Sequence, residues 1–254
     1  MKDLRLEVNG GVATLLIDRP QARNALSTQT MRELDEALGS IQQSSAHVLV
    51  IRGAGERAFC AGGDLKELEH MRSETAAAEM AHAMRATLDR IPQLHMPVIA
   101  ALNGDAFGGG AELAVACDFR VAAGHARVGF AQIQLGLMPA WGASERLAAL
   151  VGRGRALYML FSGVTMTAAE AKELGLIEAV YSSDSFDAGV SELAASIATA
   201  PPPALAGIKA SVNAVRPHHY PELADDTISA FAKTWADPAH WEAVAKMERQ
   251  RRTR

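Results

Sequence analysis

The order of hydrophobic and polar residues along the chain predicts a mixed α/β fold. Two apolar runs, LRLEV and VATLLID, flank the turn residues NGG and predict a β-hairpin. From about Thr28 to Gln43, apolar residues recur at spacings of three and four, which predicts a helix capped by Ser27 or Thr28. The next run, HVLVIRG, is almost continuously apolar and predicts a strand covered on both faces of its sheet.

The second half of the chain changes from mixed α/β to all-helical patterning. PVIAA, DFRVAA, RVGF and LIEAVY predict short strands, and helical patterns separate several of them. From about Ser185 onward the pattern is helical, interrupted by the prolines 201–203. We therefore predict a body over residues 1–200 and a helical region over residues 201–254, which packs on the body or on another subunit.

Two glycine turns follow predicted strands, and each opens a predicted helix. Gly62 and Gly63 precede DLKELEHM, and the glycines 108–110 precede AELAVAC. Glycine lets backbone N–H groups approach a ligand closely, and a helix N-terminus favours negative charge. Two N–H groups from different turns that point at one oxygen form an oxyanion hole. The alternative is that the two turns are unrelated.

Glu112 lies in the first turn of the AELAVAC helix, next to the second glycine turn. A carboxylate there repels an anionic ligand unless it takes part in proton transfer. An acidic residue in a first helical turn also stabilises the helix without any catalytic role. Both interpretations remain open at this level.

A third glycine pattern, GAGERA, matches the dinucleotide-binding motif G-x-G-x-x-A after a strand. In such proteins the turn opens a helix at once. Here Gly62 and Gly63 follow before any helix can form. We therefore disfavour a nicotinamide-dependent oxidoreductase but keep it as an alternative.

Composition limits the remaining classes of function. The 254 residues are 49% hydrophobic and 21% charged, with a net charge of −4, which argues against a general nucleic-acid binder. Two cysteines predict buried thiols in a reducing compartment, and eight histidines show no metal-ligand spacing. The N-terminus has no apolar signal core and no apolar run is long enough to span a membrane, so we expect a cytoplasmic protein.

The segments IRGAGERAFCAGGDLKEL and PVIAALNGDAFGGGAELAVACDFRVAA together resemble the crotonase (enoyl-CoA hydratase/isomerase) superfamily. RPQARNAL, GLMPAWGASERL and TAAEAKELGLIEAVY fit the same family, so the resemblance covers nearly the whole chain. It implies a spiral of ββα units and a C-terminal helical region that mediates trimerisation. It also implies an acyl-CoA substrate, with no separate cofactor, metal, nucleic acid or membrane as partner.

The resemblance also implies roles for individual residues. Gly63 and Gly109 match the two oxyanion-hole positions, and Glu112 matches the first of two hydratase carboxylates. Further positions match the binding site for CoA or the acyl group, with Trp141 either a wall of the acyl site or a core residue. These positions are Arg23, Ala25, Ala61, Lys66 and Trp141.

Gln132 occupies the position of the second hydratase carboxylate, and this is a departure from the family pattern. An amide orients a water or a substrate group but does not accept a proton at neutral pH. Hydration by Glu112 alone, double-bond isomerisation, and decarboxylation of a malonyl-type thioester therefore remain open, and ACDFRV and MPAWG resemble a decarboxylase branch. A non-catalytic or RNA-binding member of the fold is the alternative from another class.

The C-terminal helices carry more apolar side chains than an isolated tail should expose. We therefore predict that they build a homotrimer or a hexamer. The residues on which this prediction depends are Ile208, Val212, Val215, Leu223, Ile228, Phe231 and Trp235.

Overall fold

The computed structural model describes residues 1–214 and 221–252, with side chains for 1–214 and 224–250. Six of its strands form one sheet in the order β1-β2-β3-β5-β7-β10, in which β1 is antiparallel to β2 and the other pairs are parallel. The strands are β1 Leu4–Asn9, β2 Val12–Ile17, β3 Val48–Gly53, β5 Val98–Leu102, β7 Phe119–Ala123 and β10 Ala179–Tyr181.

The two faces of the large sheet are buried in separate apolar clusters. Leu49 and Ile51 of β3 point into the main core, whereas Val48 and Val50 pack with α8 (Phe186–Ala198) on the opposite face. This explains why the sequence of β3 is continuously apolar and does not alternate.

Four very short strands form a second sheet. Their order in this sheet is β4-β6-β8-β9. β8 and β9 are antiparallel, and the other two pairs are parallel. All four strands have only three residues, and the sequence predicted just one of them, β8, from the run RVGF. The strands are β4 Ala58–Cys60, β6 Asp105–Phe107, β8 Arg127–Gly129 and β9 Thr165–Thr167.

The predicted helices are present, and several begin at recognisable caps. Ser27, and not Thr28, caps α1 and forms a reciprocal pair of hydrogen bonds with Thr30. The helix after Gly63 is a single turn and so is shorter than predicted. The other helices are α1 Thr28–Gln42, α2 Leu65–Leu68, α3 Glu74–Arg90, α4 Gly109–Ala116, α5 Ala143–Val151, α6 Arg153–Ser162, α7 Ala168–Glu173, α9 Pro202–Ala214, α10 Pro221–Ala236 and α11 Pro238–Arg252.

The C-terminal helices pack on the body of the same chain. Lys209 of α9 is buried, and its Nζ donates to the carbonyl oxygens of Ile91 and Met96 and lies 2.7 Å from Asp118 Oδ2. α10 packs along α3, and the indole of Trp235 donates to Met71 O. These contacts fix the helical region to the body, while the division at residue 200 stays a prediction.

This packing corrects part of the predicted subunit surface. Ile228, Phe231 and Trp235 are buried within the chain, whereas Ile208 and Val212 are 64% and 62% exposed. Only the last two therefore belong to an exposed apolar face. Val215 and the side chain of Leu223 lie outside the described residues.

Three other features bear on the alternatives. Gly53 ends β3 and Gly55 lies in the turn that leads to β4, so the GAGERA segment opens no helix and lacks the geometry of a dinucleotide turn. Cys60 and Cys117 are free and buried. Within the part of the chain that the structure describes, no helix is long and apolar enough to cross a membrane.

Candidate active site

The loop between β2 and α1 forms one rim of a cavity, and buried polar contacts hold it in place. Arg23 and Asn24 adopt left-handed backbone conformations, with φ of 52° and 56°. The fully buried Asn24 side chain donates to the carbonyl oxygens of Ala54 and Ala58. Arg19 donates to Ala25 O and to Asp64 Oδ2 at 2.9 Å, which ties the loop to the start of α2. Arg23 and Ala25 are thereby positioned by residues that have no other evident role.

The two glycine turns meet on the opposite side of this loop. A Cβ atom added to Gly62 would lie only 3.2 Å from Gly109 N, so side chains are excluded between the turns. Gly109 is the first residue of α4, and its N–H has no partner within the helix. Neither this N–H nor that of Gly63 donates a hydrogen bond within the described residues. Two unpaired N–H groups on glycine turns that contact each other are suited to an anionic oxygen.

Trp141 forms an apolar wall beside both glycines. Its indole lies so close to Gly109 that an added Cβ would overlap the ring, and a Cβ on Gly63 would lie 3.8 Å from Cη2. The side chain is buried, with 5% of its surface exposed. Trp141 therefore lines the cavity and packs in the core at once, which combines the two interpretations that the sequence left open.

Glu112 is buried on α4, and every carboxylate oxygen accepts a hydrogen bond. Oε2 accepts from the backbone N–H groups of Trp141 at 2.8 Å and Ala143 at 3.2 Å. Oε1 accepts from Gln132 Nε2 at 3.0 Å. Donors alone surround the group, so its orientation is fixed and its charged form is the one that the hydrogen bonds favour.

Burial raises the pKa of Glu112 to about 7, against an ordinary value of 4.5. The backbone donors Ala143 and Trp141, the charge of Arg146 and the amide of Gln132 oppose this rise. A carboxyl group with a pKa near neutrality both accepts and donates protons under physiological conditions. This is the property that general acid–base catalysis requires.

Gln132 lies in the 3₁₀ turn Ala131–Leu135 and faces Glu112 directly. Nε2 faces the carboxylate, as the ionised form of Glu112 requires, and Oε1 faces away from it. This oxygen is buried and has no hydrogen-bond partner among the described residues. It is therefore an acceptor available to a water or to a hydroxyl group of a ligand.

A single cavity of about 880 Å³ joins these groups, and the structure brings all nine predicted site residues to its wall. Arg23 and Lys66 are exposed at its rim, whereas Ala25, Glu112 and Trp141 are buried. The nine residues are Glu112, Gly63, Gly109, Gln132, Arg23, Ala25, Ala61, Lys66 and Trp141.

Sequence analysis missed several residues of this site. Phe231 and Trp235 of α10 also line the cavity, so the helical tail closes part of the site in its own chain. Asn24 and Arg146 were missed because their roles are to hold backbone segments. The only sequence signal for Asn24 is that asparagine tolerates a left-handed conformation. Among the described residues, no three His, Cys, Asp or Glu side chains are grouped as a metal site requires.

The raised pKa of Glu112 predicts a pH-dependent stability effect of Glu112→Gln. Since the folded state holds this proton more tightly than the unfolded state, the contribution to stability declines as pH rises from about 4.5 to about 7. The glutamine has no proton to lose. We therefore expect the Tm of the variant, relative to wild type, to be about 5 °C higher at pH 8 than at pH 5.

Differential scanning calorimetry at the two pH values measures this difference. Glu173→Gln, the same chemical change at an exposed position on α7, provides the control and should show no such dependence. An equal Tm difference at both pH values for Glu112→Gln would contradict the assignment of a neutral-range pKa to this carboxyl group.

Comparison with known proteins identifies the family of the chain. Residues 7–250 match the enoyl-CoA hydratase/isomerase family. The short-chain-enoyl-CoA hydratase of Clostridium acetobutylicum is 36% identical over 214 residues, covering 84% of this chain and 82% of the relative. The crotonyl-CoA hydratase of Syntrophomonas wolfei is 37% identical over 180 residues, covering 70% and 69%.

A solved structure shows the same architecture over almost the whole chain. The enoyl-CoA hydratase of Mycobacterium avium subsp. paratuberculosis superposes with a TM-score of 0.88 at 29% identity and covers 96% of this chain and 98% of its own. The family match covers residues 7–250, and the structural match covers 96% of the chain. The chain therefore belongs to the enoyl-CoA hydratase/isomerase family, the crotonase superfamily of acyl-CoA enzymes.

Proposed function

We propose that this enzyme stabilises the enolate of an acyl-CoA thioester and that Glu112 moves the protons of the reaction. The observation that carries the proposal is the position of Glu112: a buried carboxyl with a pKa of about 7 in the same cavity as two unpaired N–H groups. The N–H groups of Gly63 and Gly109 bind the thioester oxygen. Each such donor in a site that excludes water contributes about 3 kcal/mol to transition-state stabilisation.

The reaction that we favour is hydration of a short enoyl-CoA, the activity named for the relatives from Clostridium and Syntrophomonas. Ionised Glu112 takes a proton from a water whose oxygen bonds to carbon 3 of the acyl group. The electron pair of the double bond moves to the thioester oxygen. The carboxyl group then returns its proton to carbon 2, so the atoms of one water are added and no separate cofactor takes part.

Gln132 has a limited role in this scheme. Its free Oε1 accepts a hydrogen bond from the attacking water and orients it, while its Nε2 keeps Glu112 in place. Without a second carboxyl group, Glu112 serves as base and then as acid. We therefore expect hydration to be slower than in a site with two carboxylates by a factor of about 10²–10⁴.

Decarboxylation of a malonyl-type thioester is the second candidate, and the pair of Gln132 and Trp141 favours it. That reaction needs the oxyanion site and a proton donor but no second base, and an apolar wall disfavours the charged carboxylate of the substrate. A single carboxyl group also suffices for double-bond isomerisation. A non-catalytic protein is the remaining outcome if no acyl-CoA is turned over.

The rim residues complete the proposal for substrate binding. Arg23 and Lys66 are exposed cations at the rim, suited to the phosphates of CoA. Ala25 and Ala61 also line the cavity, and Ala61 N donates to Arg23 O at 3.1 Å. Their small side chains leave room for the narrow pantetheine part of the substrate. A cytoplasmic location, as the sequence predicts, fits such a substrate and stays a prediction.

Glu112→Gln tests the central role of the carboxyl group. We expect kcat on crotonyl-CoA to fall by about 10²-fold or more, because the amide neither accepts nor donates the proton. CoA binding, measured by calorimetric titration, should remain within a few-fold of wild type. Glu173→Gln should match wild type in both assays. Undiminished turnover by Glu112→Gln would reduce Glu112 to a helix-start residue.

Gln132→Glu separates hydration from decarboxylation. The new carboxyl group would lie beside Glu112. Because two adjacent carboxylates repel each other, the pair would hold one proton, and the site would gain an acid beside its base. We expect crotonyl-CoA hydration to rise at least tenfold, and turnover of ethylmalonyl-CoA to fall because the substrate carboxylate is repelled. The control is Gln42→Glu on the exposed end of α1. If neither rate changes, Gln132 does not face the reacting atoms.

We also propose that the enzyme is a homotrimer or a hexamer. Tyr158 and Phe161 of α6 are 62% and 72% exposed, and Ile208 and Val212 of α9 are exposed to a similar extent. Large apolar side chains with this much surface in water favour association.

Light scattering at micromolar concentration checks the subunit number. We expect a mass of three or six chains, and Ile208→Asp with Val212→Asp should lower it because the two charges lie on the exposed side of α9. A monomeric wild-type protein would refute the proposal.

A further inference from the structure

The turn 141–143 lies between the Glu112 carboxylate and the guanidinium of Arg146. Trp141 and Ala143 both donate their N–H groups to Oε2 of the carboxylate. Between them, Gly142 has a φ of 100°, a conformation that favours glycine. A Cβ at Gly142 would overlap the guanidinium of Arg146. The absence of a side chain at Gly142 therefore lets this arginine lie directly against the turn.

Arg146 is bound at both ends of its guanidinium. Nη1 donates to Trp141 O at 2.6 Å, and Nη2 donates to Asp89 Oδ1 of α3. Only 9% of the side chain is exposed. One residue, Trp141, thus donates to Glu112 through its N–H and accepts from Arg146 through its carbonyl. Movement of Arg146 would change the position of the donors that hold the carboxylate.

Asp89 belongs to a chain of four charges between α3 and α5. Its Oδ2 accepts from Arg85 Nε at 2.9 Å, and Arg85 Nη2 pairs with Glu145. The charges alternate in sign along the chain, and the positive end at Arg146 is the one that faces the turn. The two arginine side chains are 7% and 9% exposed and the two carboxylates 31% and 21%, so removal of one partner leaves a poorly solvated charge uncompensated.

Other ionisable groups near α4 are neutral or paired. Burial raises the pKa of the thiols of Cys60 and Cys117 to about 12, so both are uncharged near pH 7. Beyond the end of α4, the charges form ion pairs with residues of other elements. These pairs are Asp118 with Lys209 and Arg120 with Glu178.

We infer that Arg146 is a positioning residue for Glu112, which fixes the turn 141–143 and supplies it with positive charge, and that Asp89 moderates this charge. The inference rests on the proposed function of Glu112 only for its catalytic consequence. The electrostatic relation between the three side chains exists whether or not Glu112 is the proton-transfer group.

Two substitutions should shift the titration of Glu112 in opposite directions. Arg146→Met removes the positive charge and leaves Asp89, so the midpoint of the titration should rise by about one pH unit. Asp89→Asn keeps a hydrogen-bond acceptor for Arg146 and removes the negative charge beyond it. The positive charge of Arg146 then acts on Glu112 with less opposition from a negative charge. The midpoint of the Glu112 titration should therefore fall by about half a pH unit.

Infrared difference spectroscopy of the whole protein measures this titration directly. The carboxyl C=O band of Glu112 is assigned by its loss in Glu112→Gln, and its intensity is followed against pH in each variant. Arg146→Lys keeps the charge and should restore the midpoint to within a few tenths of a unit of wild type. Arg90→Met removes an exposed charge of the same sign from α3, where Arg90 pairs with Asp35, and should leave the midpoint unchanged.

Opposite shifts in Arg146→Met and Asp89→Asn, with recovery in Arg146→Lys, would establish the inference. Shifts in the same direction, or none, would overturn it, because a purely structural role has no reason to change sign with charge. If Arg146→Met does not fold, Asp89→Asn decides the question: a fall in the midpoint supports the inference, and a rise or no shift overturns it.

The pH profile of kcat tests whether the titration of Glu112 controls catalysis. If Glu112 is the proton-transfer group, the midpoint of the profile should move with the infrared midpoint in each variant. An infrared shift without a kinetic shift would reject the proposed role of Glu112 and leave the positioning role of Arg146 intact.

Discussion

The site depends on how one buried carboxyl group is held among hydrogen-bond donors. Burial disfavours the charged form of Glu112, while the N–H groups of Trp141 and Ala143 and the amide of Gln132 favour it. Burial outweighs the donors, which oppose it only in part, and the pKa is raised from 4.5 to about 7. A site with fewer donors would keep the group protonated, and a more solvated site would keep it ionised. Its chemistry therefore depends on the 141–143 turn as much as on Glu112 itself.

The positions of the two glycine turns depend on the small second sheet. Each turn follows a different strand of that sheet. Gly62 follows β4, Gly109 follows β6, and these two strands are hydrogen-bonded neighbours. Since neighbouring strands in a sheet lie about 5 Å apart, their following turns meet without any long loop. The pairing of these three-residue strands therefore sets the distance between the two candidate oxyanion donors.

Much of the fold was accessible from the sequence because the signals were strong and local. The NGG turn specified the hairpin, the three- and four-residue spacing specified α1, and the continuous run at β3 indicated a sheet buried on both faces. The glycine turns and Glu112 indicated a candidate site but left its role open, and the resemblance to the crotonase superfamily supplied the other positions and the roles. The short strands left no periodicity to read, since three residues do not complete a recognisable pattern.

Other features were out of reach because they depend on distant partners. Nothing local distinguishes Arg146 from a surface arginine, because its partners Asp89 and Trp141 O come together only in the folded chain. The apolar residues of α10 were noticed in the sequence but were assigned to the wrong contact. Their hydrophobicity was evident, but sequence alone does not say whether Phe231 and Trp235 are covered by another subunit or by α3 of the same chain.

The contact of Trp141 with Gly109 means that these two positions cannot vary independently. Any side chain at position 109 would occupy the space of the indole, so enlarging one requires a smaller partner at the other. Two family members that differ at both positions would therefore be separated by an intermediate with either a clash or a cavity. Substrate range along this wall should change in paired steps, and engineering of the acyl site should begin with both codons randomised together.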